Sequence, residues 1–461
     1  MNTDHLARIL ALALVVFGAV PTLAQPPIPG QEDPRIYRII EAVSAQRLRA
    51  DVQTLVDFGT RHTLSETASD TVGIGAARRW IEAEFRRISA ECGGCLEVTT
   101  VSEVFTGERR IPDATEVVNV VAIQRGTVDP GRYVLMSGDI DSRVSDVMNA
   151  TDPAPGANDN ATGVAGVLEA ARVLSQYKFR GSIVYAALSG EEQGLFGGRT
   201  VAAKAKAEGW RLQAVLNNDM IGNIHGIDGV IDNTSVRVFS DGTPPTETEE
   251  ERRRRRFTGG EVDGISRQLA RYIDTIAERY FPTLDVMMIY RLDRFGRGGH
   301  HTPFADQGFP AVRLMETHEH YDRQHQDLRV ENGIHYGDTI DGIDFPYCAK
   351  VTALNAATLA ALAWAPAPPT QVEIRGAVEP AAQLSWQPPE LPDGQDAGVA
   401  GYRVYWRLTT SPTWDHATDV GRALEHTFEG RVIDNYFFGV ASVSPEGHES
   451  PVVFPVPGRR R

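Results

Sequence analysis

The middle of the chain alternates short apolar runs with amphipathic ones, and this alternation restricts the possible folds more than any other feature. Tyr133 to Met136 reads as a strand, Gly163 to Tyr177 as a helix, Ser182 to Leu188 as a strand, Gly198 to Ala207 as a helix and Ala214 to Asn217 as a strand. Strands that alternate with helices in this way belong to a sheet of parallel strands wrapped by helices. Helical spacing also runs from Pro34 to about Gly59, from Val72 to Ile88, around Ser266 to Tyr280 and from Ala349 to Leu362. Further strands are expected at Leu284 to Tyr290 and Ala311 to Leu314. The fold class expected is therefore α/β, with a mixed, mostly parallel central sheet flanked by helices.

At Trp364 the texture changes. Residues 364–369 form a proline-rich linker, and strand alternation without helical period follows over 370–459. Leu384-Ser385-Trp386, Tyr402 to Trp406 and Tyr436 to Val440 read as strands of an all-β sandwich. With its early Trp386, its GYRVYW strand and its late YFFGVASVSPEG segment, this region resembles a fibronectin type III domain. Such domains usually space or bind, and the partner of this one is not legible.

At the other end, Arg8, the apolar run Ile9 to Val20 and the small residues Thr22-Leu23-Ala24 fit a cleaved signal peptide over 1–24. The run is shorter than the ~20 residues a membrane span needs, so a secreted or periplasmic chain with no transmembrane segment after cleavage is expected. In an oxidising compartment Cys92 and Cys95, in ECGGC, are expected to form a local disulfide, and Cys348 to be simply buried. A formal net charge of -15 argues against nucleic acid or an anionic membrane as partner. The run Glu249 to Arg256, three acids followed by five arginines, reads as a solvated segment whose charges compensate one another.

Acidic residues fall at the carboxyl ends of the central strands, where open α/β sheets bind ligands. Asp139 and Asp141 follow the first of these strands, Glu191 and Glu192 the second and Asp219 the third, while Asp159 lies in the loop APGANDNATG before a helix. So many converging carboxylates cannot all stay ionised without compensation, and a divalent cation is the simplest compensation. Oxygen ligands alone suit magnesium, calcium or manganese; histidines shift the preference towards zinc. Candidate histidines are His300 and His301 in GGHHTPF, and His318, His320 and His325 in METHEHYDRQHQD.

In PGANDNATGV, SGEEQGLFGG and NNDMIG, and more weakly in SGDIDSR and the histidine-rich segment, residues 34–363 resemble the zinc-dependent exopeptidases of metallopeptidase family twenty-eight. That family includes bacterial aminopeptidases, glutamate carboxypeptidases and glutaminyl cyclases. The resemblance implies one or two bound divalent metals, Zn2+ foremost. Asp159 would bridge them, with Glu192 a ligand of one, Asp219 a ligand of the other and Glu191 the general base. It implies a peptide or small amino-acyl substrate.

Two positions depart from the family pattern. Asp139 stands where a histidine ligand is usual, with Asp141 at the place of the orienting aspartate, so Asp139, Asp159 and Asp219 would make an all-oxygen site preferring a harder ion. Arg323 stands at the spacing of the last histidine ligand, and a guanidinium cannot bind metal. His325 is therefore expected as that ligand, with His301 beside the substrate pocket and in reserve. An exported aminopeptidase is the expected activity. A glutaminyl-cyclase-like enzyme with a single zinc and a catalytically impaired binding protein are the alternatives.

Overall fold

Eight strands form one mixed sheet: β1 (Leu96–Phe105), β2 (Thr115–Gln124), β3 (Asp129–Asp139), β4 (Gly181–Leu188), β5 (Arg211–Asn218), β6 (Ser235–Ser240), β7 (Asp285–Ile289) and β8 (Ala311–Glu316). Their order across the sheet is β1-β2-β4-β3-β5-β8-β6-β7. The inner strands β4, β3, β5 and β8 run parallel, β1, β2 and β4 pair antiparallel, and β6 runs against β8 but with β7. The computed structural model describes residues 32–458 except 392, 393 and 395. The expected signal peptide, residues 1–24, lies outside the described residues.

Period-two alternation in the inner strands sends side chains to two separate apolar layers. Val134 and Met136 of β3 join the larger core under the helices Pro34–Ala42, Ala45–Asp57, Thr162–Leu174 and Phe345–Trp364. Tyr133 and Leu135 join the opposite core with Val201, Ala205 and Phe304. The helix Phe345–Trp364 starts on an Asp344 cap and has apolar or small residues nearly all round, which fits its burial along almost its whole length. Among the described residues no helix is long and apolar enough to cross a membrane.

Beyond that helix the chain forms a four-stranded and a three-stranded sheet that enclose their own core around Trp386, Leu384, Val404, Phe428 and Phe438. The expected all-β sandwich is thus present. Residues 364–369 do not behave as a loose tether: Trp364 ends the preceding helix, Ala365, Pro366 and Pro369 are buried, and Thr370 begins the first sandwich strand. Trp414 of the sandwich donates to the Gln268 side chain at 3.0 Å, Arg271 donates to the Pro412 carbonyl at 2.6 Å, and the His448 ring contacts Asp33 at 2.8 Å.

The acid-arginine run forms the helix Glu249–Thr258, which has no buried residue. Thr248 and Glu251 close a capping box at its start, and Glu249 pairs with Arg252 and Arg253. Its charges compensate one another, as the sequence leads one to expect. Cys92 and Cys95 are joined in a disulfide, and Cys348 is free and buried.

Candidate metal centre

Strands β4 and β5 flank β3 on opposite sides, so the connections leaving β3 and β4 diverge and open a crevice at their carboxyl ends. Asp139 ends β3, the Glu191-Glu192 pair follows β4, and Asp219 follows β5. Asp141 builds the turn that carries the paired glutamates. Its two carboxylate oxygens accept the backbone N–H groups of Glu191 at 3.1 Å and Glu192 at 2.9 Å, and the Thr63 hydroxyl donates to it at 3.0 Å. Asp141, at the place of the expected orienting aspartate, holds the backbone turn of Glu191 and Glu192.

The loop bearing Asp159 is fixed by buried groups the sequence reading did not single out. Asp338 accepts the backbone N–H groups of Asn158 at 2.9 Å and of Asp159 at 2.7 Å, while the Asn158 amide donates to Glu316 at 3.0 Å. Buried Arg61 donates to the carbonyls of Ile140, Pro155 and Gly156, tying the end of β3 to the same loop.

His325 reaches this centre because its backbone adopts a left-handed conformation, φ 55°, unusual for a residue with a side chain. Its Nε2 lies 2.9 Å from an Asp159 oxygen and 2.8 Å from a Glu192 oxygen. Arg323 turns elsewhere and donates to the Asn223 side chain at 3.0 Å. Arg143, missed in the sequence although it stands in the SGDIDSR segment, donates to the other Glu192 oxygen at 2.7 Å, and its Nη2 lies 2.7 Å from Nδ1 of His325. It thereby orients two of the three converging side chains.

Asp159, Glu192 and His325 each offer a donor atom, all within 4.8 Å of one another, and this is the one such group of three among the described residues. Burial opposes charge on all three, yet their mutual contacts win. His325 is raised to about 9 by Glu192 and Asp159 in spite of burial. Asp159 and Glu192 are held below the ordinary carboxylate range by His325, again against burial. Nε2 of His325 thus sits between two carboxylates, and a divalent cation would take the same three donors. Two carboxylates and one imidazole are a donor set suited to zinc with a further position open to substrate or water. The residues fit the ion.

Glu191 is partly exposed, and burial together with Glu192, Asp219 and Asp139 pushes its carboxyl well above the usual range. It stands beside the donor cluster without joining it, as a proton-transfer group must.

Asp139 and Asp219, also expected as ligands, face other partners in the structure. Neither belongs to the donor cluster. Asp139 is taken up by Nδ1 of His300 and by the Asn160 amide, and Asp219 lies 2.9 Å from the guanidinium of buried Arg313. His301 points its Nε2 at the Leu292 carbonyl, 2.9 Å away, and lies 3.5 Å from Asp293, so it braces the loop behind the centre. An arginine inside the buried strand AVRLME was the available signal for Arg313, because a buried guanidinium requires anionic partners.

A sheet with a carboxylate-imidazole cluster at its carboxyl edge is the framework of a metallohydrolase. Residues 119–340 match Peptidase family M28. A probable zinc metalloprotease of Leptosphaeria maculans is 43% identical over 433 residues, covering 94% of this chain and 98% of the relative. One from Pyrenophora tritici-repentis is 40% identical over 439 residues, covering 94% and 89%. The LapA aminopeptidase of Legionella pneumophila superposes with a TM-score of 0.53 over 77% of each chain at 15% identity, a likeness of fold alone. The chain belongs to peptidase family M28.

Proposed function

We propose that this protein is an exported, zinc-dependent exopeptidase that removes residues from the amino end of peptides. The convergence of Asp159, Glu192 and His325 beside Glu191 is the observation that carries this reading. The relatives named as probable zinc metalloproteases support zinc as the ion. The Cys92–Cys95 disulfide supports an oxidising compartment outside the cytosol. The sandwich is read as a fibronectin type III module.

Asp159, Glu192 and His325 would hold the ion, which supplies Lewis-acid polarisation of the scissile carbonyl and of the attacking water. Glu191 accepts the proton of that water and then delivers it to the leaving amine. Its lift above the ordinary carboxylate range, by burial and the neighbouring carboxylates, makes it a stronger proton acceptor than an ordinary carboxylate. Arg143 keeps Glu192 and His325 in register, and Asp141 keeps Glu191 next to Glu192. The acidic lining of the crevice favours a substrate ammonium over a substrate carboxylate.

Aminoacyl-anilide hydrolysis and zinc content, measured on wild type and Glu191→Gln, test the reading. Both proteins are expected to bind zinc, and the variant to lose 100-fold or more in kcat, about what a general base contributes. Equal rates in the two proteins, or no hydrolysis by zinc-loaded wild type, would reject it.

A further inference from the structure

The second half of the centre is built differently from the first. A family-type second metal site would draw on residue 139, Asp159 and Asp219, but those donors do not gather here. Both oxygens of Asp139 already have partners, Nδ1 of His300 on one and the Asn160 amide at 2.7 Å on the other. One oxygen of Asp219 faces Nη2 of Arg313 at 2.9 Å. Its other oxygen, Oδ1, has no hydrogen-bond partner, and a single oxygen does not make a divalent site.

Arg313 is placed to stay. It projects from the middle of β8, is fully buried, and is held from the far side by Asp293 at 3.1 Å and the Gly298 carbonyl at 3.1 Å. Its positive charge bears on Asp139, Asp159, Asp219 and Glu191 together. The charges in this half of the centre also balance. Asp139 adds a negative charge where a neutral imidazole is usual, and Arg313 adds a permanent positive one. A divalent ion pressed against that guanidinium would meet like charge in a buried site.

We propose that the Arg313 guanidinium takes the place of the second metal ion, so that the protein binds one ion, at Asp159, Glu192 and His325, and uses Asp139 and Asp219 as partners of His300, Asn160 and Arg313. This rests on the zinc-peptidase reading above and assigns the ion count within it.

Zinc titration of chelator-stripped protein by calorimetry, checked by elemental analysis after dialysis, decides the matter. Wild type is expected to bind one equivalent. Asp219→Asn, which keeps the shape of the side chain, is expected to bind one equivalent with affinity within about threefold of wild type, whereas Asp159→Asn loses binding. Two tightly bound equivalents in wild type, or a loss of metal in folded Asp219→Asn comparable to that in Asp159→Asn, would overturn the proposal. Arg313→Met, if folded by circular dichroism, is expected to admit a second ion once manganese or zinc is in excess; a folded variant still limited to one would also overturn it. Should Arg313→Met fail to fold, the wild-type count stands as the deciding measurement. Anilide hydrolysis by a two-ion protein would reject this inference and leave the peptidase reading intact; one bound ion without hydrolysis would do the reverse.

Discussion

Arg407, in the sandwich, donates from one nitrogen to both carboxylate oxygens of Asp263, in the peptidase domain, at 2.8 Å each, and neither side chain is exposed. Arg271 of the helix Ile265–Tyr280 meets the same carboxylate at 2.9 Å. A buried triad of this kind joins the two units as one cooperative structure. Removing one partner of a buried ion pair typically costs about 3–5 kcal/mol. Arg407→Ala is therefore expected to lower stability by roughly 3 kcal/mol, and to leave a single unfolding transition in calorimetry. Two separated transitions in wild type would contradict the coupling.

Asp141→Asn tests the turn that carries the two glutamates. The variant keeps the size of the side chain but replaces one accepting oxygen with a donor, which cannot serve the N–H groups of both Glu191 and Glu192. Loss of a group that orients metal ligands costs about 10- to 100-fold in metal affinity or activity. A fall of that size in kcat/KM is expected, with the melting temperature changed far less. Full activity would show that the turn holds without Asp141.

Asp274 should leave its mark on the pH dependence of stability. Burial, with Glu278 and Asp285 nearby, raises this carboxyl to about 7. The unfolded chain releases the proton near its ordinary value of 3.8, while the folded chain keeps it to about 7. Stability contributed by the neutral form is thus complete below about pH 4 and lost as pH rises to about 7. Asp274→Asn is expected to match wild type near pH 4 and to exceed it at pH 8 by on the order of 2 kcal/mol, read from urea denaturation at the two pH values. An equal gain at both would rule out titration as the cause.

The Cys92–Cys95 bridge closes a small loop, with a sequence separation of 3. Loop-closure entropy for so short a loop gives about 2 kcal/mol. Reduction, or Cys92→Ser with Cys95→Ser, is expected to lower stability by about that amount and leave zinc binding unchanged. Loss of the fold on reduction would show that the bridge does more than restrain the unfolded chain.

Much of this architecture is legible in the sequence where burial is strong. The inner strands and the helix after Asp159 are written in runs such as VLMSG, IVYAAL and AGVLEAA, and the structure places them within a few residues of expectation. Strands β1 and β2 are less legible, because β1 is an edge strand whose Thr, Ser and Glu side chains face outward. In the centre, the carboxylates announce themselves through their place at strand ends. Their partners do not. Arg61, Arg143, Arg313 and Asp338 are separated by scores of residues from the groups they serve, and only the folded chain shows which acid meets which base.

Arg313 also bears on how the molecule comes into being. A guanidinium is synthesised with the polypeptide, so the Asp219 side of the crevice is neutralised the moment β8 docks beside β5. On the one-ion proposal, the nascent chain would close its sheet in a medium poor in transition metals, and a chelator that empties the Asp159 side would leave this half of the architecture standing.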